Sequence, residues 1–473
     1  MSEKINSLPL SEFDKIRLSF NHIKLTLVAG AGFLTDAYDL FSISIVLYIL
    51  TVFPEKLFPL SIKVLGLPLS SYLATSAILF AIIGQLVFGS ISDLLGRKKI
   101  YGIEAAILSI GAILSAISPN IYWLILSRAL LGLGIGGDYP ISSVIASEYG
   151  NAKDRGKMIA TVFSNQGLGI ILAVLIGILS LQFLPPDLAW RTVLGIAAIP
   201  ALLVIYFRRT MPETPRYSFH VKKDANELNK AAEYLNIKTD IKNVYSNAKN
   251  TRQSFIDFVE KYWRYLLITA STWFILDVAF YGTGIYSSFI SSSIIPHLTQ
   301  ENIKTAIFII GLPYLVGLPG YFSAVALIDK LGRRLLQILG FLAMTAIYFL
   351  TSFMIKEASY FVVTFVLFAL SFYAINLGPN TTTFVIPAEI YPTSKRSTGH
   401  GISAASGKLG AAISTLYLPL WKLQFGLSAI FLGLGVISMI GAVLTTYLPE
   451  PKGIPLEEIS QEEVIQAKSR FSS

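Results

Sequence analysis

Residues 120–148 form an apolar stretch of about 29 residues that nevertheless contains Arg128 and Asp138. A helix needs ~20 such residues to cross a hydrocarbon core, and a charge held at that depth points to a functional site. Gly132, Gly134, Gly136 and Gly137 clear one side of the helix of side chains, so a neighbouring helix or a small solute can approach its backbone. The plainer alternative is a tightly packed helix whose Asp is protonated or paired.

Further apolar windows flank this one, and candidate spans lie near 25–50, 68–91, 101–118, 120–148, 158–182, 189–208, 264–291, 301–327, 334–355, 358–389, 397–421 and 425–447. With 53% hydrophobic and 14% charged residues and a mean hydropathy of +0.61, the composition is not that of a soluble globular protein. The expected fold is an all-α membrane protein with twelve transmembrane helices in two six-helix bundles. Its expected parts are an N-terminal bundle (1–208), a cytoplasmic linker with short amphipathic helices (209–262), a C-terminal bundle (263–448) and a cytoplasmic tail (449–473). Residues 1–24 are polar and mixed in charge, so no cleavable signal peptide is expected.

A net charge of +9 would suit a nucleic-acid partner, but the placement of the charges argues otherwise. Of 38 Lys and Arg, thirty fall on the side of the termini, six on the other, and two, Arg128 and Lys408, within spans. By the positive-inside rule both termini are cytoplasmic, and the chain is a multi-pass protein of the cell membrane, in contact with the lipid bilayer and not with nucleic acid. The absence of cysteine excludes disulfides and thiolate metal sites. Four His with no His/Glu cluster at ligand spacing suggest neither metal nor cofactor.

Asp93-Leu94-Leu95-Gly96-Arg97-Lys98 returns as Asp329-Lys330-Leu331-Gly332-Arg333-Arg334, 236 positions later. A second echo follows, Glu148 with Arg155 and Glu389 with Arg396, each pair seven apart and 241 positions from its counterpart. Two echoes at nearly one offset indicate duplication of a six-span half. These charged points, with Pro212-Glu213-Thr214-Pro215-Arg216 after the first half and Pro449-Glu450-Pro451-Lys452-Gly453 after the second, read as cytoplasmic latches between the halves. Simple solvated helix ends are the alternative for any one of them.

Asp36 and Asp39 stand three residues apart on one helical face. Two acids buried side by side do not both ionise cheaply, so one is expected to carry a proton, which makes the pair a candidate proton carrier. For Asp39 a cap or pair near a helix end is the alternative. Glu104 is expected to pair with Arg128 or Arg155 in a structural role. Gln166, flanked by Gly167 and Gly169, can bond an oxyanion or a hydroxyl. Trp273, Asp277 and Tyr281 recur at four-residue steps, so one stripe presents an indole, a carboxyl and a phenol. Asn376-Leu377-Gly378-Pro379-Asn380 interrupts the tenth span, which is tolerated at that depth where backbone lines a cavity. Lys408, about eleven residues from either end of its span, cannot easily snorkel to water and needs an anion or carboxylate partner.

Gly136-Gly137-Asp138-Tyr139-Pro140, Gly378-Pro379-Asn380-Thr381-Thr382-Thr383, Pro387-Ala388-Glu389 and Ser397-Thr398-Gly399-His400-Gly401 closely resemble the inorganic phosphate:proton symporter family of the major facilitator superfamily. The Asp-x-x-Gly-Arg signals and Pro-Glu punctuation are shared with the related sugar porters. The resemblance implies the major facilitator fold and a phosphate site between the halves, with Asp138, Tyr139 and Gln166 from the first and Trp273, Asp277, Tyr281, Asn380 and Lys408 from the second. It implies proton movement through Asp36 and Asp39. The linker is short for that family.

The residues agree with this on their own chemistry. One buried Lys, several uncharged donors and two acids suit a small tetrahedral oxyanion carried with protons. An ionised Asp138 about 5 Å from a monovalent phosphate raises the energy by roughly 3 kcal/mol at an effective dielectric near 20, so phosphate is expected to bring a proton to Asp138. The rival readings are a proton-coupled porter of sugars, polyols or other organic anions, and a nutrient sensor that moves no solute. The sequence holds no nucleophile–base pair, P-loop or metal set, so an enzyme is not expected, and a monomer is the expected working unit.

Overall fold

In the computed structural model of the protein the described residues are 10–237, 254–285 and 299–462. The expected end of the seventh span (286–291), the middle of the linker (238–253) and residues 463–473 of the tail lie outside them. The first bundle consists of α1 (Phe20–Val52), α2 (Leu69–Leu95), α3 (Ile103–Ala116), α4 (Ile121–Tyr149), α5 (Arg155–Phe183) and α6 (Pro186–Arg209). The second begins with α7 (Phe255–Ile285), α8 (Ile303–Leu331), α9 (Arg333–Met354) and α10 (Phe361–Ile390). A last helical run, Arg396–Thr445, is split by Gly426 at φ 76° into α11 (396–425) and α12 (427–445). Among the described residues, eleven apolar helical runs are long enough to cross a membrane, and that split makes them twelve spans.

One departure from the expected spans has a clear cause. Helix α7 starts at Phe255, well before 264, because Phe258 and Tyr262 bury against Ile386, Tyr391 and Leu448 and carry the helix beyond its apolar part. Helix α10 breaks where Pro379 was expected to break it: Gly378 takes φ −114° and ψ −101°, and a new helical segment starts at Pro379. There a Cβ on Gly378 would stand 2.6 Å from the Cα of Gly340, so α9 and α10 cross at backbone distance.

The two halves meet through a crossed set of charges at the end of the molecule that holds the linker. Asp93, at the end of α2, accepts from the backbone N–H groups of Ser397 (3.2 Å) and Thr398 (2.7 Å) at the start of α11. Asp329, at the end of α8, accepts from the N–H of Lys157 (2.8 Å) at the start of α5. Each carboxylate thus caps a helix N-terminus of the other half, where the helix dipole favours negative charge. Glu148 binds Arg97 of its own half and Arg396 of the other, both at 3.0 Å. Glu389 binds Arg333 of its own half and Arg155 of the other, both at 2.8 Å. The two Glu–Arg echoes therefore do not pair within themselves: each arginine crosses to the acid of the other half. Arg97 and Arg333 also bind Asp93 (3.1 Å) and Asp329 (2.7 Å) one turn away.

The Pro-Glu signals act within the halves. Glu213 accepts from the N–H of Lys98 (3.3 Å) after the sharp turn at Gly96, and Glu450 from the N–H groups of Arg333 (3.0 Å) and Arg334 (2.9 Å) after the matching turn at Gly332. What joins linker to tail is Arg216, bound to Glu457 (2.9 Å) and to Asp14 (2.6 Å) of a short N-terminal helix, with His220 3.7 Å from Glu457. Burial opposes charge on His220, but the carboxylates of Glu462 and Glu457 outweigh it and hold the ring's protonation above its usual value. The raised value means that His220 stabilises this junction fully below about pH 6.5, the value for a free histidine, and ceases to do so as pH climbs through the higher folded value. His220→Asn is expected to remove that part of the pH dependence from thermal stability measured between about pH 5 and 8. Identical slopes for the two proteins would exclude the junction as a titrating element.

Candidate functional site

The α7 stripe of Trp273, Asp277 and Tyr281 faces Lys408 of α11, and Tyr139 of α4 closes the group from the other bundle. Lys408 Nζ donates to Asp277 Oδ2 at 3.0 Å and lies 4.6 Å from the ring centroids of both Tyr139 and Tyr281. One carboxylate and two electron-rich rings hold the ammonium charge, and all of these side chains are buried. Gly407 precedes Lys408 because a Cβ there would overlap the Trp273 indole. That indole meets His400 edge-on at 5.3 Å, and His400 Nε2 bonds the Phe384 carbonyl at 3.1 Å.

A neutral polar wall continues the group. Gln166 Nε2 and Asn380 Nδ2 each donate to the Tyr321 hydroxyl at 2.9 Å, and Asn380 also donates to Asn376 Oδ1 at 2.8 Å. Having accepted twice, the Tyr321 hydroxyl has its own proton to offer. Aromatic layers bracket the cluster along the membrane normal. On the latch side Phe33 lies 4.8 Å from both Tyr139 and Phe384, and Phe163 stacks on Phe384 at 4.7 Å. On the opposite side Phe41 packs on Tyr281 at 5.4 Å and on Tyr314 at 5.3 Å.

The expected residues Tyr139, Gln166, Trp273, Asp277, Tyr281, Asn380 and Lys408 are thus gathered where the halves meet. Asp138 is not among them. One step along α4 from Tyr139 turns the side chain about 100° away, and its carboxylate is held by both oxygens to Arg208 Nη2 at 2.8 Å and by the Ser142 hydroxyl at 2.5 Å. Arg208 Nη1 also binds Glu104 at 2.8 Å, and its guanidinium lies 3.9 Å from the Tyr101 ring centroid. Glu104 therefore pairs with neither Arg128 nor Arg155. Asp36 shares with Glu104, Asp138 and Arg208 a cavity of about 10 Å³, room for about one water. Gly32 is needed beside it, since a Cβ there would overlap Arg208 and Asp138. Asp39 turns to another partner, Arg128, at 3.6 Å, while Arg128 Nη2 donates to the Asp39 carbonyl at 2.7 Å. The two aspartates of α1 thus face different neighbours, Asp36 the group of Asp138, Glu104 and Arg208 and Asp39 the guanidinium of Arg128.

Two participants escaped the sequence. Arg208 is the last residue of the expected span 189–208 and looks like its ordinary end, although Asp36, Asp39, Glu104 and Asp138, all away from the ends of their helices or buried, called for more cations than Arg128. Tyr321 carries no charge and lies in a run of apolar residues, so nothing marked it.

Two bundles of apolar helices that meet around a buried ion pair are the architecture of a multi-pass membrane protein. The family model described as "Sugar (and other) transporter" matches residues 25–462. The chain is 36% identical to a probable inorganic phosphate transporter 1-6 of Arabidopsis thaliana over 96% of both proteins, and 36% identical to inorganic phosphate transporter 1-11 of Oryza sativa subsp. japonica over 97% of this chain and 91% of that one. Its fold matches the proton:xylose symporter XylE bound to 6-bromo-6-deoxy-D-glucose with a TM-score of 0.80 at 20% identity, over 93% of this chain and 98% of that one. The chain belongs to the sugar (and other) transporter family, in its group of inorganic phosphate transporters, a family of carriers and not of enzymes.

Lys408→Ala leaves Asp277 buried without its cation, which is expected to lower stability by about 3 kcal/mol and to abolish phosphate binding. Adding Asp277→Asn is expected to restore stability without restoring binding. Thermal unfolding and equilibrium binding report the two separately, and wild-type phosphate affinity in Lys408→Ala would remove Lys408 from the site.

Proposed function

We propose that this protein is a proton-coupled symporter that takes up inorganic phosphate by alternating access, as a monomer in the cell membrane with both termini in the cytoplasm. The observation that carries the reading is the Lys408–Asp277 pair buried between the halves among hydroxyl, amide and indole donors. Relatives named as inorganic phosphate transporters over nearly the whole length support it. The excess of Lys and Arg on the side of the termini supports the orientation. Residues 1–208 and 263–448 serve as the two moving halves, 209–262 as the linker and 449–473 as the tail.

Phosphate enters from outside and exchanges with Asp277 for the ammonium of Lys408. The hydroxyls of Tyr139, Tyr281 and Tyr321, the indole of Trp273 and the amides of Gln166 and Asn380 supply its hydrogen bonds. An ionised Asp277 about 4 Å from a monovalent phosphate costs roughly 4 kcal/mol at an effective dielectric near 20, so the anion binds together with a proton at that carboxyl. The repulsion expected at Asp138 falls instead on Asp277, which stands closer to the anion. Asp138 and Asp36 beside Arg208, with Asp39 beside Arg128, form the separate proton path of the first half. Release follows when Asp93, Arg97, Glu148, Arg155, Asp329, Arg333, Glu389 and Arg396 part at the cytoplasmic latch, and the halves rock about the midplane site.

A sugar porter is the second reading. A neutral sugar uses Asn, Gln and Trp but has no need of a buried ammonium. Proteoliposomes carrying the protein are expected to accumulate labelled phosphate, and not glucose or xylose, when the outside is made acidic; the reverse preference would overturn the assignment.

Asp138→Asn is expected to fold, because Arg208 keeps Glu104 at 2.8 Å. Phosphate should still bind and exchange, while accumulation driven by a pH gradient should fall steeply, since the Asn removes the proton carried along the first-half path and leaves only the one at Asp277. Asp36→Asn should likewise depress gradient-driven uptake more than phosphate binding. If Asp138→Asn concentrates phosphate as the wild type does, coupling passes to Asp36 or Asp277.

A further inference from the structure

Helix α7 approaches the membrane through Lys261-Tyr262-Trp263-Arg264-Tyr265, and α12 ends beside it, with Tyr447 just beyond. Between these and the tail residues Ile459 and Gln461 lies an open groove of about 560 Å³. Lys261 and Arg264 stand along it with the indole and phenol rings, while Leu267 and Ile268 continue its wall toward the apolar part of α7. Trp263 is 51% and Tyr447 69% exposed, amphipathic rings of the kind that sit at the headgroup level of a bilayer. The Tyr262 hydroxyl donates to the Ser460 carbonyl at 2.5 Å, so the far wall of the groove is the tail itself. No residue of this groove takes part in the central cluster or the crossed latch.

Charge and shape decide the occupant. A soluble anion would engage the two cations and leave the apolar wall bare, whereas a phospholipid engages both. Residues 463–473 carry Lys468 and Arg470 as well as Glu463, so that stretch brings no excess of negative charge to the two cations. We propose that the groove binds an anionic phospholipid of the cytoplasmic leaflet, its phosphate on Lys261 and Arg264 and an acyl chain along Leu267 and Ile268. The choice of leaflet rests on the cytoplasmic placement of the termini; the site itself does not. Bound there, the lipid links α7, α12 and the tail, and so steadies the junction at Tyr262 and Ser460.

The test titrates the purified full chain in detergent with phosphatidylglycerol or phosphatidylcholine and counts bound lipid by native mass spectrometry. The wild type is expected to retain phosphatidylglycerol in preference to phosphatidylcholine. Lys261→Gln with Arg264→Gln is expected to bind phosphatidylglycerol roughly thirtyfold more weakly, each cation near an anionic lipid surface being worth about a factor of five. Lys98→Gln with Lys99→Gln, an exposed pair on the other bundle, should keep wild-type affinity, and inorganic phosphate should not displace the lipid. Helical circular dichroism melts confirm that both variants fold. Equal affinity of wild type and Lys261→Gln/Arg264→Gln, equal binding of the two lipids, or displacement by inorganic phosphate would each overturn the proposal. None of these outcomes depends on what the protein transports, so the two readings fail separately.

Discussion

Taking an ion from water into a helical bundle costs several kcal/mol even after the protein relaxes, and removing one member of a buried pair costs about 3–5 kcal/mol. That constraint orders this structure more than any apolar packing does, because lipid tails are as apolar as the helix surfaces they touch and give the helices little reason to choose partners. The choice is made by charges. Asp138 and Glu104 fix the end of α6 through Arg208, Asp39 fixes α4 to α1 through Arg128, and Asp277 fixes α11 to α7 through Lys408. Each of these bonds joins different helices, so each specifies a neighbour.

The central cluster and the first-half acids are adjacent in sequence, Tyr139 beside Asp138, yet belong to different electrostatic environments. Tyr139 meets the Lys408 ammonium across the interface, while Asp138 meets a guanidinium inside its own bundle. Arg208 lies four residues before Pro212, and the segment that follows is held to the latch by Tyr149, by Glu148 at the Thr214 hydroxyl and by Arg216. The cation that accompanies Asp138 is therefore mounted on the same piece of chain that the charged joint between the halves grips.

The fold was legible because its signals are long and redundant: twelve apolar windows, a charge bias between the two sides and a repeated Asp-x-x-Gly-Arg segment. The residues around Lys408 were legible because buried polar groups at helical spacing announce a shared face, as Trp273, Asp277 and Tyr281 do. Partner choice was not legible. Asp36 and Asp39 looked like one pair, and helix geometry allowed it, but three residues along a helix also allow two carboxylates to diverge by tens of degrees toward separate arginines. Glu148 with Arg155 and Glu389 with Arg396 read as latches between the halves, but which acid takes which arginine was not legible, since duplication of the half lets each arginine take the equivalent acid across the interface. A guanidinium's reach is long, and Arg208 shows how a residue assigned to the membrane surface can end up inside.

Glu148 and Glu389 each hold one arginine from their own half and one from the other, and Asp93 and Asp329 cap helices across the same joint. Such a joint does not come apart one bond at a time. With Arg396 withdrawn from Glu148 and Arg155 still seated on Glu389, a buried charge loses a partner while the remaining bonds keep the halves from separating to let water in. At about 3 kcal/mol or more such half-parted arrangements are outnumbered by roughly a hundredfold or more. The joint therefore holds or lets go as a unit, with little populated between.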